Sequence, residues 1–152
     1  MSKRYAGYCT AATAVDVTFM TLHHSTVTTV RPRLYELVIG APSTPADQYV
    51  EWKIKRATAL GTEGGGFTPV PLDPSDVAAI ADYGIAVFSA EPTYTANAEL
   101  LAFGLNTRAT FRWVAAPDCE LIVPATASNC IGLLPDLAGG TAVHSATMFH
   151  VE

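Results

Sequence analysis

Hydrophobic and polar residues alternate with a period of two along several stretches of this chain. In the clearest stretch, Val50, Trp52 and Ile54 alternate with a glutamate and two lysines. Because successive side chains of a strand point to opposite faces, this pattern predicts a strand with one buried face and one solvent face. In the stretch 34–39 both alternating sets are largely apolar. That stretch is therefore predicted to be a strand covered on both faces, either by the domain or by a partner.

Proline and glycine divide the chain into short extended segments, about eight by this pattern. One segment differs, because Asp73 followed by Pro74 is typical of a helix start, and it predicts one short helix from Pro74 to Asp82. The predicted fold class is therefore all-β, an antiparallel β-sandwich or jelly roll with one short helix. A single β domain is expected over residues 1–152, in which residues 1–12 form either an extended N-terminal arm or a frayed end.

Composition narrows the classes of function. Only 15% of the 152 residues are charged and 49% are hydrophobic, so a folded core is expected rather than disorder. The net charge of −5 argues against a nucleic-acid binder, which needs positive potential to displace counterions. The chain has no apolar run of about 18 residues and no apolar segment of signal-peptide type after its basic start, so neither a membrane span nor export is expected.

The histidines are the natural place to seek a metal site. His23 and His24 are adjacent and face opposite sides of a strand. His144 and His150 share a parity but lie roughly 20 Å apart along a strand, too far to share one ion. The spacing of a cupin metal site is absent from the sequence. We therefore predict surface or hydrogen-bonded core histidines, and neither a metal nor a cofactor.

Nucleophilic chemistry has no sequence support either. The chain contains no Gly-x-Ser-x-Gly motif, and Cys9, Cys119 and Cys130 are too widely spaced for a zinc knuckle or a redox pair. These cysteines are predicted to be reduced, buried thiols. The prediction is a protein that is not an enzyme and has no catalytic residues.

Arginines on an otherwise acidic chain are the better candidates for a functional surface. The predicted partner interface consists of Arg31, Arg33, Tyr35, Arg108 and Arg112. The first two arginines flank a proline bend, and the last two are predicted to share one face of a strand. Their guanidinium groups suit acidic groups on a partner protein.

Two segments carry a family resemblance: RPRLYELVIG at 31–40 and RATFRWVAAP at 108–117. With the Ala/Thr-rich strands and low charge around them, they resemble the capsid decoration, or cement, proteins of tailed bacteriophages. The resemblance implies a jelly-roll or β-barrel-like domain, made in the host cytoplasm, that binds the major capsid protein on the exterior of the virion and stabilises the head. It also implies a homotrimer, with neither nucleic acid nor membrane as a partner.

Low charge and a strand apolar on both faces also favour a homo-oligomer on physical grounds. Two other classes of function stay open. A carbohydrate-binding β-sandwich would expose Trp52 or Trp113 as a stacking platform, and a cupin-like enzyme would hold a metal.

Overall fold

The computed structural model describes residues 2–85, 88–139 and 141–152, and these residues form twelve strands and no helix. The strands are β1 (Arg4–Ala12), β2 (Met20–His23), β3 (Arg33–Gly40), β4 (Tyr49–Ala59), β5 (Gly65–Phe67), β6 (Val70–Pro71), β7 (Asp82–Ile85), β8 (Thr93–Asn106), β9 (Phe111–Val114), β10 (Leu121–Ile122), β11 (Cys130–Ala138) and β12 (Val143–Val151). The predicted all-β class is confirmed. No helical segment in this part of the chain is long and apolar enough to cross a membrane.

The strands form two six-stranded antiparallel sheets. Sheet A has the order β10-β3-β12-β1-β6, and β9 pairs with the same edge of β3 as β10. Sheet B has the order β5-β7-β2-β11-β4-β8. Their inner faces pack against each other in a β-sandwich, because a single buried cluster draws Leu37, Ile39 and Met148 from sheet A and Leu22, Trp52 and Ile131 from sheet B.

The alternation predicted for 50–55 is confirmed in β4. Val50, Trp52 and Ile54 are at most 1% exposed. Trp52 lies at the centre of the core, where its ring makes edge contacts with the rings of Phe19 and His144, each at 5.4 Å between centroids. Regular alternation thus delivers the largest side chain of the core to the space between the sheets.

The predicted helix from Pro74 to Asp82 is wrong. Asp73 does cap a turn, since its Oδ1 accepts hydrogen bonds from the amide and hydroxyl of Ser75. The helix does not continue, because the amides of Ile80 and Ala81 donate to the Glu152 carboxylate instead of to carbonyls one turn earlier. These tertiary contacts outweigh a helix of about two turns, which is marginal on its own.

A bulge changes the parity of β3. His150 of β12 lies opposite Leu34, whereas Phe149 lies opposite Glu36, so Tyr35 is the extra residue. Leu34 and Leu37 can therefore both point into the core although they are three positions apart. The outer side of β3 carries half-buried side chains, among them Tyr35 and Val38.

Residues 4–12, for which an extended arm is one of the predictions, lie in β1. This strand pairs with β12 along its whole length and with β6 near its start. Tyr5 is fully buried, and its hydroxyl donates to the carbonyl of Val77 at 3.1 Å. The N-terminal strand is thus an interior strand of sheet A.

Candidate functional site

The outer face of sheet A is an open surface with several exposed apolar side chains, and we call it the A face. Three of its side chains are more than half exposed although large and hydrophobic: Tyr8 at 56%, Val70 at 64% and Val114 at 52%. The strands of sheet A bring together on it Arg4, Ala6, Tyr8, Arg33, Tyr35, Glu36, Val38, Val70, Arg112, Val114, Thr147 and Phe149.

The register of sheet A arranges these residues in rows. Ala6 lies opposite Val70 on one side and Phe149 on the other, and Val114 lies across β3 at the level of Glu36. The rings of Phe149 and Tyr35 are 6.3 Å apart between centroids. An apolar band therefore crosses sheet A from β6 to β12 and continues to Val114 on β9 past Glu36, which is ion-paired with Arg112.

Four of the twelve side chains named on the A face are charged, and these charges are partly neutralised. Nε of Arg112 lies 2.6 Å from Oε1 of Glu36, an ion pair that raises the pKa of the guanidinium. The guanidinium carbon of Arg4 lies 5.9 Å from the centre of the Tyr35 ring. Burial raises the pKa of the Tyr35 phenol, while the Arg4 charge acts in the opposite direction.

The outer face of sheet B, which we call the B face, differs in character. Nζ of Lys53 lies 2.6 Å from a carboxylate oxygen of Asp136, and Lys55 lies 3.5 Å from Glu99 and 3.8 Å from Asp136. Covering these charges with another protein would require their further desolvation, which costs free energy. Of the two outer faces, the A face therefore gains more from being covered by a protein.

The five predicted interface residues do not form one patch. Arg33, Tyr35 and Arg112 lie on the A face, whereas Arg31 lies in the exposed loop before β3 and Arg108 lies in the turn before β9. The loop and the turn are at opposite ends of β3, roughly 25 Å apart for a strand of that length.

The prediction that Arg108 and Arg112 share a strand face is wrong. Asn106 bends the chain, because its side-chain oxygen accepts from the amide of Arg108 at 2.9 Å and its carbonyl accepts from Ala109 at 2.8 Å. Strand β9 begins only at Phe111. The hydrogen bonds of Asn106 form a turn at 106–109, so the alternating pattern from Arg108 to Arg112 does not correspond to one continuous strand.

Sequence reasoning missed three residues of the A face on the first strand: Arg4, Ala6 and Tyr8. Their alternation with Tyr5, which is buried, is a signal that the prediction of an extended arm left unused. Arg4 and Arg33 flank Tyr35 in a cleft of about 320 Å³ that Glu120 also lines. Two guanidinium groups beside a phenol suit a carboxylate.

A second group of titratable side chains lies at the β2–β7 end of sheet B. His23 pairs with Asp82 across the strands, and both line a cleft of about 330 Å³ with Glu63. One carboxylate oxygen of Glu63 is buried without a hydrogen-bond partner in the described structure. Burial, and then the Asp82 charge, raise the pKa of Glu63. Burial also raises the pKa of neighbouring Cys130 to about 12, which keeps it a thiol rather than a nucleophilic thiolate.

All four histidines are buried. The prediction of hydrogen-bonded core histidines fails for His24, because neither of its ring nitrogens has a partner in the described part of the chain, and for Nε2 of His144. No three His, Cys, Asp or Glu side chains among the described residues are placed to hold a metal ion. Cys9 and Cys130 are buried as predicted, whereas Cys119 is exposed in a turn.

Acid should destabilise the fold through His23. Burial lowers the pKa of His23 from 6.5 to about 4, against the attraction of Asp82. The unfolded chain therefore takes up a proton first as the pH falls, and stability is lost between about 6.5 and 4. We expect His23 to contribute a loss of about 2 kcal/mol between pH 7 and pH 5, measured by urea denaturation.

His23→Gln is the matched variant, because it cannot titrate. It should lose less stability than the wild type over the same pH range, while every other titratable group is the same in both proteins. Parallel loss of stability in the two proteins would rule out His23 as the acid-sensitive group.

Comparisons with protein-family models, with curated proteins and with solved structures find no match for this chain.

Proposed function

We propose that this chain is a structural protein of a tailed-phage virion that binds the major capsid protein and stabilises the exterior of the head. The observation that carries the proposal is the A face, an open surface that combines an apolar band with exposed tyrosine and valine side chains. Such a surface gains free energy when a protein covers it, at about 25 cal/mol for each Å² of apolar area. The family resemblance of the segments 31–40 and 108–117 is the reason for proposing the major capsid protein as the partner.

The order of the strands supports a jelly roll. Strands β1, β2, β3 and β4 enter sheets A, B, A and B in turn, and β8, β9, β11 and β12 return in the order B, A, B, A. This alternation between two sheets is the arrangement of jelly rolls, which viral capsid proteins, lectins and cupins share. The fold is therefore compatible with a virion protein, but function must be argued from the surface.

The two alternative functions have less support. The carbohydrate-binding alternative requires an open tryptophan, yet Trp52 is fully buried and Trp113 is half-buried against the core. The cupin-like alternative requires a set of three or four metal ligands, and the described residues bring no such set together.

Attachment to the head is expected to use the A face, with Arg33, Tyr35 and Arg112 among the contacts. A homotrimer is the assembly that the resemblance implies, and many weak contacts from repeated copies would make attachment firm through avidity. An acidic capsid surface is the proposed counterpart of the arginines, rather than nucleic acid or a membrane.

Tyr8→Glu tests this proposal against a matched control. Tyr8 is 56% exposed on the A face, and Tyr49 is 62% exposed at the start of β4 in sheet B. Each variant adds one charge at an exposed tyrosine. In co-sedimentation with phage heads, Tyr8→Glu should bind roughly tenfold or more weakly, because covering an unpaired charge costs over about 1.4 kcal/mol.

Tyr49→Glu should bind as the wild type does. Equal binding by the wild type and Tyr8→Glu would remove the A face from the interface. Failure of the wild-type protein to bind any head would overturn the proposed function.

A further inference from the structure

Strand β8 forms a long open edge of sheet B. It spans 14 residues and, among the described strands, pairs only with β4. Apart from this ladder with β4, no backbone hydrogen bond joins residues 98–105 to another described segment. One side of this strand therefore presents a row of unpaired backbone amides and carbonyls, which is a template for another strand.

Residues 101–106 of this edge lack the features that normally protect an edge strand, whereas register shifts interrupt the pairing with β4 between Thr93 and Leu101. The segment 100–106 reads LLAFGLN, with no charge and no proline, and its register with β4 is regular from Ile54↔Leu101 to Tyr49↔Asn106. The other edge strands of the described sheets are β5, β6, β9 and β10, each of four residues or fewer. Natural proteins shield long edges with lysine, proline or bulges, so an unshielded edge marks a pairing site.

The segment is symmetrical about Phe103. Leu101 and Leu105 flank it on the core side, opposite buried residues of β4, and small Ala102 and Gly104 flank it on the exposed side. An added Cβ at Gly104 would meet no atom within 4 Å. A segment whose residue types are similar when read in either direction can pair antiparallel with the same segment of a second copy. A twofold-symmetric interface requires such self-pairing.

The apolar side chains beside this edge are only partly buried, so a strand added there would bury them further. Leu101, Phe103 and Leu105 are half-buried and pack against the core. The Phe103 ring stacks on Phe111 of β9 at 3.8 Å between centroids, which bridges the two sheets on this side of the sandwich. A strand added to β8 would cover the open sides of these rings.

We propose that β8 pairs with β8 of a second copy of this chain, antiparallel and centred on Phe103. The pairing joins the two B sheets into one continuous sheet. It places Leu101 opposite Leu105 of the second copy and Ala102 opposite Gly104, and no like charges meet between 100 and 106. It uses the edge of sheet B and leaves the A face open, so it does not depend on the proposed attachment to a head.

Disulfide trapping tests the register. In a Cys119→Ser background, which removes the exposed native thiol, the single variants Ala102→Cys and Gly104→Cys are prepared separately and then mixed. The proposed pairing puts these positions about 4.5 to 5.5 Å apart between Cα atoms, within disulfide range. Within either unmixed sample the two equivalent positions are roughly 8 Å apart, which is too far.

We expect the mixed sample to form cross-linked dimers at least tenfold faster than either unmixed sample. Equal rates in the mixed and unmixed samples, or no cross-linking at all, would overturn the proposed pairing. Both positions are exposed in the monomer, so the substitutions leave the core unchanged.

The mass of the free protein gives a second test. Twofold pairing through β8 predicts an oligomer with an even number of copies. It is a dimer or, if the protein also forms a threefold contact, a hexamer. Ala102→Lys with Gly104→Lys should halve that mass through like-charge repulsion, while Ala102→Ser with Gly104→Ser should preserve it. A wild-type monomer or trimer would overturn the pairing without bearing on attachment to heads, and head binding by an unpaired protein would leave the proposed function intact.

Discussion

Trp52→Ala should lower the free energy of unfolding by about 3 to 5 kcal/mol, the range for removing a large aromatic side chain from a core. Trp52 is fully buried and its ring contacts Phe19 and His144, so the vacated space is lined by two rings, one from the loop before β2 and one from β12. Rings held by neighbouring strands collapse poorly into a cavity, which favours the upper part of the range. Urea denaturation followed by far-UV circular dichroism measures the effect.

Trp113→Ala is the control for that measurement. Trp113 lies on the short edge strand β9 and is only half-buried. Its removal should cost about 1 to 2 kcal/mol, since less apolar area returns to water. Equal losses in the two variants would show that the core is not centred on Trp52.

Glu152→Ala should cost about 3 kcal/mol, because it removes the acceptor of the buried Ala81 amide and the partner of the buried His150 ring. The Glu152 carboxylate accepts from the amides of Ile80 at 3.0 Å and Ala81 at 2.7 Å, and lies 3.4 Å from Nε2 of His150. It thereby fastens the segment before β7 to sheet A. Glu152→Gln keeps one oxygen acceptor and should lose less than half as much.

The contribution of the Glu152 carboxylate to the free energy of unfolding should depend on pH. Burial raises the pKa of Glu152, but hydrogen bonds from His150, Ala81 and Ile80 outweigh it and hold the pKa below its ordinary 4.5. Its stabilisation is therefore present above pH 4.5 and lost as the pH falls through the lower, folded-state pKa. An acid-unfolding curve of Glu152→Gln that runs parallel to that of the wild type below pH 4.5 would contradict this role.

The sequence was most informative where one face of a strand meets water. In β4 the contrast between Trp52 and its lysine neighbours is strong, and the strand was predicted in the right place with the right face inward. The all-β class followed from several such segments. Local alternation is reliable there because burial and solvation favour the same register.

One wrong prediction and one feature that was not predicted depend on contacts distant in sequence. The Asp73 cap is real, but whether a helix follows depends on Glu152, which lies more than seventy positions away in the chain. The bulge at Tyr35 depends on how β12 pairs with β3. Neither partner can be identified from the local pattern, because the pairing of distant strands decides both.

The candidate site shows the same limit. Three of the predicted interface residues reach the A face, but its apolar band is assembled from five strands whose neighbours are far apart in sequence. The band became visible only when Val70, Ala6, Phe149 and Val114 were placed in register. Residue types alone could indicate that arginines contact a partner, but they could not indicate which apolar side chains lie beside those arginines in the fold.

The pairing of β1 with β12 also governs how the molecule folds. These are the first and last strands of the described chain, and β12 lies between β1 and β3 in sheet A. During synthesis at about 5 to 20 residues per second, β1 therefore waits for nearly the whole chain before its main partner exists. The β4–β8 pair of sheet B can form earlier, because both strands are synthesised before residue 107, whereas sheet A is completed last. Pairings of such high sequence separation place folding in the slow range of milliseconds to seconds. Until β12 has been synthesised, the apolar side chains of β1 that are buried in the folded protein are exposed to solvent and prone to aggregation.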